Sequence, residues 1–103
     1  MAVTIVQDMP KVVTLATTCQ LVTTDGTKAH VDASFAYITS DTTGASDVVR
    51  IVYSDSLSDG GALPSDGYHE IPCSQLPQVV PLLRKRFFLQ GSSAFNISVE
   101  LGA

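Results

Sequence analysis

The amino-acid sequence predicts an all-β protein: an antiparallel β-sandwich or jelly-roll-like barrel of six to seven strands, with no substantial helix. Three observations predict it. Apolar and polar residues alternate with a period of two over most of the chain. Turn signals such as Asp25-Gly26 and Gly91-Ser92-Ser93 separate the alternating runs. Pro77 and Pro81 interrupt the one faintly helical stretch, Ser74 to Leu83, and leave room there for a single 3₁₀ turn. Strands without helices to cover them must bury their apolar faces against a second β-layer.

The elements follow in order. From Lys11 to Thr24, Val13, Leu15, Thr17, Cys19 and Leu21 share one face, as on a long or bent strand. After Asp25-Gly26, a run from His30 to Tyr37 places Val31, Ala33, Phe35 and Tyr37 on one face, so the two runs read as an antiparallel hairpin. Ser40 to Ser46 has loop composition. Asp47 to Tyr53 is apolar on both faces, which suits a central strand covered on two sides or one whose outer face meets a partner. A breaker-rich stretch, Ser54 to Gly67, follows; loops of this length are usually functional or mobile. Gly67 to Pro72 is a short strand, and Leu83 to Gln90 a longer one. In the last run Phe95, Ile97, Val99 and Leu101 alternate with Asn96, Ser98 and Glu100, the clearest half-buried strand in the chain.

Composition sets the function classes. The chain has 103 residues, 45% hydrophobic and 16% charged, and a net charge of −4. That length supports one core without obligatory disulfides, and the hydrophobicity argues against disorder. Six Lys and Arg against ten Asp and Glu oppose a nucleic-acid binder, since phosphate contacts need excess cations. No apolar run is long enough for a membrane helix, and the first residues carry no secretory signal pattern. Ten Thr and eleven Ser supply the polarity that charge does not. A surface so thin in charge suits either an ordinary Thr-rich β exterior or one covered by neighbours in an assembly.

Chemistry-bearing residues are sparse. Cys19 and Cys73 lack a CxxC spacing and read as reduced, partly buried thiols. His30 and His69 have no ligand-pair spacing. Asp55, Asp59 and Asp66 lack the ligand order of a calcium loop and suit turn capping. No nucleophile elbow, phosphate loop or dinucleotide fingerprint occurs, so the expectation is a non-enzyme without cofactor or metal. Two segments stand out as candidate partner contacts. Residues 1–10 hold Val3, Ile5 and Val6 ahead of Pro10 and read as an N-terminal arm or edge strand preceding a single β domain over 11–103. Arg84, Lys85 and Arg86 concentrate half of the positive charge beside Phe87-Phe88. They serve either as gatekeepers of an aggregation-prone strand or as a docking stripe for an acidic surface.

The segment Leu63-Pro64-Ser65-Asp66-Gly67-Tyr68-His69-Glu70-Ile71-Pro72, followed by Arg86-Phe87-Phe88-Leu89-Gln90-Gly91-Ser92-Ser93 and the closing Asn96 to Leu101 strand, resembles the C-terminal half of small β-sandwich structural proteins of tailed-bacteriophage virions, capsid decoration (cement) proteins among them. The resemblance covers about half of the chain and is a pattern of turns and strands that carries over no site residues. It implies a homo-oligomer, trimer or dimer, that binds the major capsid protein in a virion assembled in the host bacterial cytoplasm. A tail, baseplate or fibre adaptor shares the pattern. A carbohydrate-binding sandwich using Tyr53 and Tyr68 is the further alternative.

Overall fold

The strongest alternation in the sequence, at its C-terminal end, becomes the spine of the structure. The computed structural model describes residues 2–24, 28–40 and 46–103. Its ten strands are β1 (Val3–Thr4), β2 (Lys11–Thr14), β3 (Gln20–Thr24), β4 (Lys28–Ala29), β5 (Phe35–Ser40), β6 (Val48–Tyr53), β7 (Tyr68–Pro72), β8 (Gln78–Pro81), β9 (Phe87–Gly91) and β10 (Asn96–Gly102). They form two sheets. One is four-stranded in the order β2-β10-β5-β8; the other runs β1-β3-β9-β6-β7, with β4 also pairing β3. The chain is therefore an all-β sandwich.

Ile97, Val99 and Leu101 of β10 are fully buried, and β10 sits between β2 and β5 with Val99 opposite Ile38 and Leu101 opposite Ala36. Val49 and Ile51 of β6 and Phe87 and Leu89 of β9 meet them from the other sheet. Burying one such side chain contributes about 1.5–3 kcal/mol, so this interior is the main source of stability.

The expected long strand from Lys11 to Thr24 is split. β2 lies in one sheet and β3 in the other, and the chain crosses between layers over residues 15–19. Leu15 is buried in the crossing, its N–H bonded to the Phe95 carbonyl at 2.8 Å. The expected hairpin shrinks to two pairs, Thr23 with Ala29 and Thr24 with Lys28; its Asp25-Gly26 turn lies outside the described residues, as does most of the Ser40–Ser46 loop. The run after His30 also takes the opposite phase. Strand β5 starts at Phe35, and Ala36 and Ile38 point inward while Tyr37 is exposed. The partner strand decides this: the buried residues of β10, Ile97, Val99 and Leu101, stand opposite residues 40, 38 and 36, so Ala36 and Ile38 share the core face.

Two further corrections concern the second half. The Ser74–Leu83 stretch holds the single 3₁₀ turn, Cys73–Gln75, but then continues as strand β8. Leu83 and Arg84 adopt left-handed φ values of 58° and 55°, so the strand expected from Leu83 starts at Phe87. Among the described residues the expected six to seven strands thus become ten, because splitting and short pairings add to the count.

Ser54 to Gly67 is folded onto the outer face of the second sheet. There Leu57 and Leu63, with Leu21 and Tyr68, cover Cys19, Val52 and Phe88, a second apolar cluster. The doubly apolar β6 is explained by this roof. Leu21 N–H donates to Asp59 Oδ1 at 3.0 Å, and Cys19 exchanges backbone hydrogen bonds with Gly60 and Gly61.

Candidate adhesive end of the sandwich

Pairing with β10 sets what meets at each end. Because β2 and β5 both run antiparallel to β10, the starts of both strands lie at the Gly102 end. Asp8 N–H donates to the Leu101 carbonyl at 2.7 Å, and Ser34 N–H to that of Gly102 at 2.7 Å. Leu82 N–H then bonds the Ser34 carbonyl at 2.8 Å, and Arg84 N–H that of Ala33 at 3.2 Å. Three segments, 5–10, 30–34 and 82–86, are therefore tied to one end of the sandwich.

That end is unusually apolar. Val6 is 58% exposed, Met9 60%, Val31 41% and Leu83 62%. Val6 and Met9 border a shallow cleft of about 210 Å³ with Thr4, Pro10 and Lys11. Scattered surface hydrophobics need no explanation, but several gathered at one end make it the candidate contact surface of this fold. Arg84 and Lys85 are exposed beside Leu83 and make no ion pair among the described residues. Asp8 and Asp32 are exposed at the same end. An apolar centre bordered by charges of both signs is the usual anatomy of a protein-protein contact.

The six candidate contact residues divide into two groups. Val6, Arg84 and Lys85 are brought to this end and face outward. Val3 is half-buried in β1, which pairs parallel with β3 as an edge strand, Val3 opposite Val22. Ile5 is fully buried in the core and can touch no partner. Behind it, the Ile5 carbonyl accepts from His30 Nε2; since that carbonyl can only accept, Nδ1 is left to accept from Thr24 Oγ1, 3.2 Å away. Residues 3–8 are thus anchored to the body. Arg86 is also turned inward. Its Nη1 donates to the Ser54 and Leu57 carbonyls at 3.1 and 2.7 Å, and its guanidinium lies 4.8 Å from the centre of the Phe88 ring. Arg86 clamps the roof loop, which corrects its assignment to a docking stripe.

Met9, Val31 and Leu83 escaped the sequence reading. For Met9 the signal was present in Pro10, which interrupts the strand ladder beside it.

The remaining chemistry-bearing groups are placed as follows. His69 on β7 meets Tyr53 edge-on at 5.5 Å, and the Tyr53 hydroxyl donates to the Pro81 carbonyl. Tyr68 packs against the roof cluster. Both tyrosines considered for sugar stacking are therefore engaged within the fold. Burial pushes the Cys19 and Cys73 thiols up from their ordinary range, and the Asp47 carboxylate adds to the effect at Cys73. A raised thiol holds less thiolate and is a poor nucleophile.

Comparison with protein-family models, curated proteins and solved structures returns no match.

Proposed function

We propose that this chain is a non-enzymatic virion structural protein, a capsid decoration (cement) protein that binds the major capsid protein shell and stabilises it. The observation that carries the reading is the gathering of Val6, Met9, Val31 and Leu83, with Arg84 and Lys85, at one end of a charge-poor sandwich whose long loop is fastened down. Such an end can seat on a shell surface without a conformational change, so little ordering entropy opposes binding. Repetition over a symmetric shell then multiplies modest contacts into avidity.

Mass spectrometry of purified particles and cryo-electron microscopy of the shell test the proposal. Hundreds of copies in icosahedral order are expected, whereas a handful at one vertex would replace this reading with that of a tail, baseplate or fibre adaptor. Leu83→Asp and Val6→Asp are expected to abolish shell binding while changing stability by no more than about 0.5 kcal/mol, because both side chains are exposed. Undiminished shell binding by both variants would remove the adhesive end from the proposal.

A further inference from the structure

Among the described residues, three that are not glycine hold a positive φ: Asp8 at 65°, Leu83 at 58° and Arg84 at 55°. All three lie at the end of the sandwich where Val6, Met9, Val31 and Leu83 are exposed. Asp8 is the third residue of a turn closed by the Met9 N–H, which donates to the Val6 carbonyl at 3.2 Å. A positive φ at that place alone makes the turn type II, where glycine or asparagine usually stands. Leu83 and Arg84 are the central residues of a second turn, in which the Lys85 N–H donates to the Leu82 carbonyl at 3.0 Å. Two positive φ values make it type I′, for which Asn-Gly is the favoured pair. In Leu and Arg this backbone brings Cβ too close to the following carbonyl oxygen.

Nothing among the described residues offsets that strain. Leu83 is 62% exposed and belongs to neither apolar cluster. The Arg84 side chain is exposed and has no hydrogen-bond or ion-pair partner among the described residues. Strained backbone of this kind gathers at ligand clamps and switch regions. Charge indicates what such a clamp would meet. Lys11, Arg84, Lys85 and Arg86, four of the six cations, lie in or beside the three segments of this end, with only Asp8 and Asp32 of the ten carboxylates. The end is therefore net positive on a chain of net charge −4. An extended polyanion, such as DNA or an anionic membrane, reaches past the end and is repelled by the acidic remainder. A discrete acidic protein surface meets the end alone.

We infer that the Leu82–Lys85 turn anchors this chain to a protein partner whose contact surface is an apolar hollow rimmed by Asp and Glu. Leu83 fills the hollow, Arg84 and Lys85 pair with the rim carboxylates, and the Val6–Met9 turn lies alongside. The left-handed backbone holds these side chains outward before contact, so less freedom is lost on binding. The inference rests on the shell-binding reading and specifies the chemistry of the shell surface.

Leu83→Asn combined with Arg84→Gly installs the pair that suits a type I′ turn. Its midpoint of thermal unfolding is expected about 4–8 °C above the parent's, while its affinity for purified shells lacking the chain falls about thirtyfold or more. Arg84→Glu combined with Lys85→Glu is expected to weaken shell binding by at least as much. Binding of the parent is expected to weaken as sodium chloride rises from about 0.01 to 1 M and the Debye length contracts from about 30 to 3 Å. Undiminished shell binding by either double variant, a midpoint that does not rise in the first, or parent binding indifferent to salt overturns the inference and leaves the decoration reading standing. Tighter binding of the parent to DNA or to phosphatidylserine vesicles than to shells also overturns it. A parent chain that binds no shell ends both readings.

Discussion

Arg86→Met removes the clamp on the roof loop and keeps an unbranched apolar stem of similar length. In the native protein one guanidinium nitrogen donates to two loop carbonyls, Ser54 at 3.1 Å and Leu57 at 2.7 Å. A hydrogen bond from a charged donor contributes about 1.5–3 kcal/mol; two from one partly exposed nitrogen, with carbonyls that regain water when released, sum to about 2 kcal/mol. Loss of the cation over the Phe88 ring at 4.8 Å adds about 0.5–1 kcal/mol. The total, about 3 kcal/mol, is a large share of the 5–15 kcal/mol typical of a domain. At about 4–8 °C per kcal/mol for a chain near this size, the midpoint of thermal unfolding falls by roughly 12–24 °C. A second readout separates local from global loosening. Cys19 is fully buried beneath Leu57 and Leu63, whereas Cys73 belongs to the main core. Thiol labelling under native conditions is therefore expected to accelerate at Cys19 and stay slow at Cys73. Arg86→Lys, which keeps the charge but not the forked donor, should fall between the two. A destabilisation below about 0.5 kcal/mol with unchanged Cys19 labelling would refute the clamp.

Four other outcomes are expected. Gly91→Ala places a Cβ 2.6 Å from the Ser93 carbonyl oxygen and 3.0 Å from the Leu15 side chain; backbone cannot yield cheaply, so denaturant melts should show a loss of about 1–3 kcal/mol. Gln90→Leu should cost about 2–3 kcal/mol, since the buried amide joins Arg50 Nη1 at 2.9 Å to the Thr17 carbonyl at 2.8 Å and both would lose a partner. Glu70→Gln, which breaks only the half-exposed ion pair with Arg50, should cost less than about 1 kcal/mol and lose even that at high salt. Stability should fall as pH rises above about 8.5, the ordinary thiol range. There the unfolded chain ionises Cys73 while burial and Asp47 keep it protonated in the folded state, so unfolding releases a proton and is favoured by alkali. Melts of Cys73→Ala compared with the parent between pH 7.5 and 10 should show a shallower decline. An equal slope in both proteins would rule out this thiol as the cause.

Local pattern was enough wherever a strand keeps one face in oil and the other in water along its whole length. The run at β10 was readable for that reason: its alternation never changes sign from Asn96 to Leu101, and Ile97, Val99 and Leu101 are buried where the period places them. The class of fold followed, as did the thin surface charge. Alternation is blind to which sheet a strand joins, however. Residues 11–24 keep their period through Leu15 and Cys19, both buried, although the chain leaves one sheet and enters the other between them. The phase of β5 was likewise open until β10 supplied the apolar face opposite Ala36 and Ile38.

Sequence alone determined that this is a β-only, charge-poor chain with a long breaker-rich loop and a knot of cations near its end, because composition and period are local quantities. Only the tertiary structure decided what those cations do. Arg86 and Arg84 are two residues apart, yet the left-handed turn at Leu83 and Arg84 sends one inward to the loop carbonyls and leaves the other at the surface. The apolar end itself depends on hydrogen bonds from residues 8, 34, 82 and 84 that link segments distant along the chain. No local pattern carries that information, since those contacts exist only once both sheets have formed and fixed which loops share an end.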